Sequence, residues 1–475
     1  MRPMSTAARL SAALVVALAA CNSISTASPS SAPAGSDGAS IALSGAIDPA
    51  DIRADLEALQ AIADANGGLR TAGTAGYRAA VEYVAGRLRD LGYAVQTPEF
   101  EMATFAEAAG SSIQVGPRGA TFAGGPDFHA MIYSASGEIS APVVEVGYGD
   151  DGSGGCDASD FASLPAGAIA LTPPGGCFRR DVVLNAVEAG ASALVSAFPQ
   201  WPAGEVRRPT LLSPDGIEIP ALAASRQVGD ALRAAAASHT EVRISVRTEI
   251  GQAMVPNVIA ESHGVADQVL ILGGHLDGVH DGPGMNDNGS GVAALLEVAR
   301  VLAEQHPSVR VRFAFWAGEE FGLFGSRAYV ETLRSAERAE ILAYLNLDMI
   351  GSPNFVPMVY DSPTAAAGAA AITDFLVSYL REVGIGAEPT DIGASSDHAP
   401  FDAFGIPTGG IFSGASEVKT ADQAEAFGGT AGELLDPCYH LACDTLANVE
   451  IDHVAIFAEA ALALTLAIAS GQISL

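Results

Sequence analysis

From Pro256 onward, short apolar runs alternate with helix-forming stretches, and several of those runs stop just short of a histidine or an acid. That alternation points to an α/β sheet. Residues 269–273 are wholly apolar, the pattern of a strand buried on both faces, and they lead into His275. Residues 290–305 place Val292, Leu295, Leu296, Ala299 and Leu302 on one helical face. Residues 309–316 alternate Arg310 and Arg312 with apolar side chains before Glu319 and Glu320, and residues 343–347 precede Asp348. The chemistry-bearing residues therefore fall just past strand ends, where open α/β sheets put their sites.

These residues form a set. His275 sits in Gly274-His275-Leu276-Asp277, and Asp287 in the glycine-rich run Gly284-Met285-Asn286-Asp287-Asn288-Gly289-Ser290-Gly291. His440 follows in Cys438-Tyr439-His440-Leu441-Ala442-Cys443. Zinc takes imidazole nitrogen and carboxylate oxygen at about 2.0–2.2 Å, with three protein ligands and one open position at a catalytic site. His275, Asp287, Glu320, Asp348 and His440 satisfy two Zn2+ ions if Asp287 is shared. His275 and Asp348 complete one ion, Glu320 and His440 the other. Glu319 is the spare carboxylate, suited to move a proton from water to a leaving amine. Tyr439 is placed to donate to an oxyanion. Asp277 is expected to orient the His275 imidazole.

The segments closely resemble the secreted bacterial di-zinc aminopeptidases. The motifs that carry the likeness are Gly274-His275-Leu276-Asp277, the run from Gly284 to Gly291, Ala317-Gly318-Glu319-Glu320-Phe321-Gly322-Leu323 and Asn346-Leu347-Asp348-Met349-Ile350-Gly351. Ser396-Asp397-His398-Ala399-Pro400-Phe401 and the stretch from Asp436 to Asp444 add to it. The resemblance implies an α/β zinc-exopeptidase fold, a mixed and mostly parallel sheet flanked by helices. It also implies release of N-terminal amino acids from peptides, with the five ligands and Glu319 as general base. Related classes remain as alternatives. A glutamate-carboxypeptidase type typically carries arginine after the first histidine, where this chain has Leu276. A single-zinc glutaminyl cyclase and a non-enzymatic receptor on the same fold fit the full ligand set less well. Ser396 is expected to support the site rather than to act as a nucleophile.

Residues 125–251 read differently, as short β-rich runs broken by glycine and proline. Gly167-Ala168-Ile169-Ala170-Leu171, Cys177-Phe178 and Asn185-Ala186-Val187-Glu188-Ala189-Gly190-Ala191 resemble a protease-associated domain, inside which a Cys156–Cys177 bridge fits. Cys438 and Cys443 bracket His440 and are expected to hold it in register. The expected division is a signal peptide at 1–20, a lipidated cysteine and flexible linker at 21–48, a peptidase domain in two parts at 49–128 and 251–475, and the insert at 129–250.

Composition limits the partners. With 24 basic and 55 acidic residues among 475, the net charge is −31, which repels nucleic acid and anionic lipid. Residues 10–20 form an apolar core too short to span a bilayer. Leu18-Ala19-Ala20-Cys21 resembles a bacterial lipobox, whereas Ala17-Leu18-Ala19 resembles an ordinary cleavage site. Setting Cys21 aside as lipidated leaves four of the five cysteines for two bridges in an oxidising compartment. The reading is a cell-envelope protein whose membrane contact is a lipid anchor on Cys21, with free secretion as the alternative.

Overall fold

The structure is a computed structural model that describes residues 45–149, 152–262, 267–305, 307–362 and 366–475. The signal peptide, Cys21, the linker up to residue 44, His263 and His306 lie outside the described residues.

An eight-stranded mixed sheet organises the peptidase part. Its strands are β1 (Ala94–Gln96), β2 (Val258–Glu261), β3 (Val269–His275), β4 (Arg310–Trp316), β5 (Ile341–Leu347), β6 (Met358–Tyr360), β7 (Glu388–Thr390) and β8 (Thr408–Phe412), in the order β1-β2-β4-β3-β5-β8-β6-β7. The middle strands β4, β3, β5 and β8 run parallel, so their C-terminal ends open on one edge. Every residue of β3 is buried, as its unbroken apolar run requires. Gly273 and Gly274 allow the neighbours to close in. A Cβ on Gly273 would lie 2.8 Å from the Tyr344 ring, and one on Gly274 would lie 2.5 Å from the Leu347 carbonyl.

Helices cover both faces. Gly291–Gln305 is buried along most of its length beside β3. Pro49–Ala65 starts at an Asp48 cap with proline in the first turn, and Ala75–Asp90 starts at Thr74, whose hydroxyl accepts from the Tyr77 amide at 3.3 Å. The C-terminal helix Ile451–Ala469 is apolar enough to cross a membrane by length and composition, but 67% of that window is buried within the fold against Gly291–Gln305 and Pro49–Ala65. The extended stretch at residues 94–107 is broken at Thr97-Pro98. Proline has no amide hydrogen for a ladder, and the chain restarts in a different ribbon.

That ribbon pairs Glu99–Glu107 with Thr248–Pro256 over nine antiparallel positions. Between its arms lies a second eight-stranded sheet, built from strands between Ser112 and Val246. The helices Arg179–Glu188 and Arg226–Ala237 belong to the same segment. Both bridges form, Cys156–Cys177 in this segment and Cys438–Cys443 in the peptidase part.

Candidate metal centre

Four loops at the C-terminal edge of the sheet bring the predicted residues together. β3 ends on His275. The chain after β4 turns through Gly318, at φ 71°, into the short helix Glu319–Gly322. β5 ends one residue before Asp348. Asp287 lies in the loop before Gly291–Gln305, where its peptide bond to Asn288 is cis. His440 adopts a left-handed backbone, φ 59°, inside the Cys438–Cys443 loop.

The Asp287 carboxylate lies between the two imidazoles. Its Oδ1 is 3.1 Å from His275 Nε2, and its Oδ2 is 3.0 Å from His440 Nε2. Asp348 Oδ1 lies 3.2 Å from the same nitrogen of His275. Glu320 Oε2 lies 3.1 Å from that of His440. Two ligand triads therefore share Asp287, and Glu319 falls in a third grouping with His275 and Glu320.

The donor set fits metal. His275 Nδ1 lies 3.0 Å from the Asp277 carbonyl; donating there leaves the Nε2 lone pair facing two carboxylate oxygens. Acceptors crowded against an acceptor call for a cation between them. Buried Glu320 Oε1 has no hydrogen-bond partner among the described residues. Taken as protein groups alone, the cluster has to draw in protons. Burial opposes a charged His440, yet Glu320 and Asp287 push its pKa up to about 10. Burial, with Glu320 and Asp348 adding to it, raises Glu319 well above the carboxylate range, although His275 opposes the shift. Imidazole nitrogen and carboxylate oxygen are the ligand types of zinc.

The surrounding hydrogen bonds fix these side chains. Asp277 is expected to orient His275, and the group that meets the imidazole is its main-chain carbonyl. Its carboxylate is 4.0 Å from Nδ1 and instead accepts the amides of Gly318 at 2.8 Å and Glu319 at 3.3 Å. The carbonyl lies nearer in a tight two-residue turn, which frees the carboxylate to cap the Glu319 helix. Ser396 donates to Asp348 Oδ2 at 2.6 Å and accepts from Asn346 at 2.8 Å. His398 Nε2 pairs with the Gly393 carbonyl at 2.8 Å, and no hydrogen bond between His398 and Ser396 occurs among the described residues. The Tyr439 ring packs on His440 with centroids 3.8 Å apart. Burial, then Asp287 and Glu320, raises its pKa well above 10, which keeps the phenol a donor.

Two contributors escape sequence reading. Asp444 accepts the amides of Asn286 at 2.8 Å and Asp287 at 3.1 Å, with its pKa pushed up to about 7 by burial and then by Asp436. Fully buried Arg70 donates to the carbonyls of Leu276, Pro283 (3.2 Å) and Gly284 (2.6 Å), tying together the loops that carry His275 and Asp287. Its setting in Gly67-Gly68-Leu69-Arg70-Thr71, a glycine-rich link between two helices, is the one sequence signal available. His129, which lies in no ligand-spaced motif, is 8% exposed, and its Nδ1 lies 2.7 Å from Arg208 Nη2.

Residues 257–465 match Peptidase family M28, and residues 139–232 match the PA domain. An aminopeptidase of Pseudomonas aeruginosa is 38% identical over 420 residues, spanning 85% of this chain and 78% of that protein. The "Probable lipoprotein aminopeptidase LpqL" of Mycobacterium tuberculosis is 39% identical over 429 residues, spanning 86% and 83%. The fold is shared with the aminopeptidase from Aneurinibacillus sp. strain AM-1 (TM-score 0.70, 24% identity, 89% and 95% covered). It is also shared with BSAP, a zinc aminopeptidase from Bacillus subtilis (TM-score 0.67, 22% identity, 90% and 96% covered). The chain belongs to peptidase family M28, as an aminopeptidase-type member carrying a PA insert.

Proposed function

We propose that this enzyme is a di-zinc aminopeptidase that removes N-terminal residues from peptides. The observation carrying the reading is the Asp287 carboxylate, with one oxygen toward each histidine at 3.1 and 3.0 Å. His275, Asp287 and Asp348 would hold one Zn2+, and His440, Asp287 and Glu320 the other. Bound there, zinc supplies Lewis acidity and makes water acidic enough to serve as a nucleophile near neutral pH. Glu319, held by the amide contacts of its helix start with Asp277, takes the water proton and returns it to the departing amine nitrogen. The Tyr439 hydroxyl donates to the carbonyl oxygen as negative charge develops on it. An acid-rich centre suits a substrate's ammonium group. Leu276, buried after His275, offers no cation for a C-terminal carboxylate. The insert then begins before Ser112 rather than at the expected residue 129, because the strands from Ser112 to Val246 share its sheet, and peptidase segments flank it on both sides.

Metal content and end-specificity test this together. Active protein should hold two zinc equivalents, cleave aminoacyl-arylamides, spare N-acetylated ones and stop with chelator. Full activity at one equivalent, or cleavage of N-acetylated substrate, refutes it. The likeness to a lipoprotein aminopeptidase supports export and anchoring through Cys21. On that reading Cys21→Ser moves the enzyme from the membrane fraction to the medium, and an unchanged distribution favours ordinary secretion.

A further inference from the structure

One segment of the insert reaches into the peptidase centre. Arg207 is 5% exposed, and its Nε donates to the Tyr439 carbonyl at 2.8 Å while Nη2 points at the Pro437 carbonyl at 3.5 Å. Its guanidinium lies over Trp201, 5.6 Å from the ring centroid, and Trp201 stacks on Phe198 at 3.7 Å. No ion pair to Arg207 occurs among the described residues, so a buried cation is spent on main-chain carbonyls of a single loop. Three residues on, the Thr210 hydroxyl donates to the Phe321 carbonyl at 3.0 Å. A Cβ on Gly322 would lie 2.5 Å from the Leu212 carbonyl oxygen, so the two backbones pass in close contact. The same short stretch thus touches the turn after Glu320 and the loop carrying Tyr439 and His440.

That second loop needs holding. His440 is a non-glycine residue in the left-handed region, a conformation that persists only where its surroundings over-determine it. The bridge Cys438–Cys443 closes the loop on itself, whereas Arg207 fixes it from outside.

We propose that Arg207 is a positioning residue: by gripping the Tyr439 carbonyl it sets the pose of the Tyr439 hydroxyl, which makes the insert part of the catalytic centre. The inference rests on the reading that Tyr439 stabilises the developing oxyanion. It excludes the simpler picture of the insert as a detachable peptide recruiter.

A double-mutant cycle of Arg207→Ala and Tyr439→Phe in the zinc-loaded full chain, assayed with leucine p-nitroanilide, tests it. Arg207→Ala should lower kcat by up to about 100-fold, the cost of displacing a reacting group by about 1 Å, with little change in KM. In the Tyr439→Phe background the same change should cost less than about threefold, because the group it positions is gone. Zinc content should stay near wild type in the folded variant, while the thermal midpoint falls as the Tyr439 and Pro437 carbonyls lose their donor. Losses of equal size in both backgrounds, or no loss from Arg207→Ala, overturn the proposal while leaving the role of Tyr439 intact. Unchanged kcat in Tyr439→Phe alone overturns the oxyanion reading instead. If Arg207→Ala does not fold, Arg207→Lys takes its place, since a point charge cannot reproduce the Nε contact and the same coupling is expected.

Discussion

Replacing Arg70 by methionine tests how the loops that carry His275 and Asp287 are held. The side chain is fully buried and serves three carbonyls, those of Leu276, Pro283 and Gly284. Burial lowers its pKa to about 10, with Asp277, Asp444 and Asp287 opposing, so it is charged at pH 7. Leaving a buried acceptor unpaired costs about 1–3 kcal/mol, so three acceptors set an upper range of about 3–9 kcal/mol. Removing the buried cation returns part of this, since methionine fills the space without a desolvation penalty. A net loss of about 3–5 kcal/mol is therefore expected, a large part of the 5–15 kcal/mol typical of a folded domain. Urea unfolding followed by circular dichroism in excess chelator reads the loss without the contribution of bound metal. Zinc competition on the folded variant should show weakened affinity at the centre. A stability change below about 1 kcal/mol together with unaltered zinc affinity would show that the clamp holds nothing.

Other expectations follow from the same geometry. Glu319→Gln should keep its zinc and lose about 10²–10⁴ in kcat, the usual contribution of a positioned base; near-normal turnover rejects the role. Asp287→Ala should release both metals on dialysis, and a variant that retains two equivalents contradicts the shared-ligand assignment. Asp281 meets Arg208 at 2.9 Å, and although burial opposes ionisation, Arg208 and then His129 and His280 hold its pKa below the usual carboxylate value. The sign follows: its contribution is present above the unfolded carboxylate pKa and is lost as pH falls through the depressed folded value. Asp281→Asn should therefore flatten the acid limb of the stability–pH curve below about pH 4, measured by urea unfolding. An acid limb of unchanged steepness would mean that the pair contributes nothing.

The sheet and the residues of the candidate centre are legible because periodicity and chemistry coincide at strand ends. β3, β4 and β5 each show their apolar runs, and His275, Glu319, Glu320 and Asp348 follow at once. His440 was legible through its two cysteines. The partners of these residues were not, because their contacts join distant parts of the chain. Arg70 meets Leu276 across 206 positions and Arg207 meets Tyr439 across 232, and no local period records either. Asp277 shows a different limit. Spacing placed it beside His275, but whether its carbonyl or its carboxylate does the holding depends on turn geometry. The break at Pro98 was visible in composition, yet its effect on strand order was not.

The paired arms Glu99–Glu107 and Thr248–Pro256 have one more consequence. Entry to and exit from the insert run side by side, so their alignment acts as a vernier for the distance between the insert and the peptidase mouth. Losing two residues from both arms would preserve which side chains face inward yet draw the insert about 7 Å closer, since each residue of a strand advances about 3.4 Å. Losing one from a single arm would turn its side chains over. A homologous protein that differs in stem length would then have to re-form the contacts of Arg207 and Thr210 with the loops of the candidate centre.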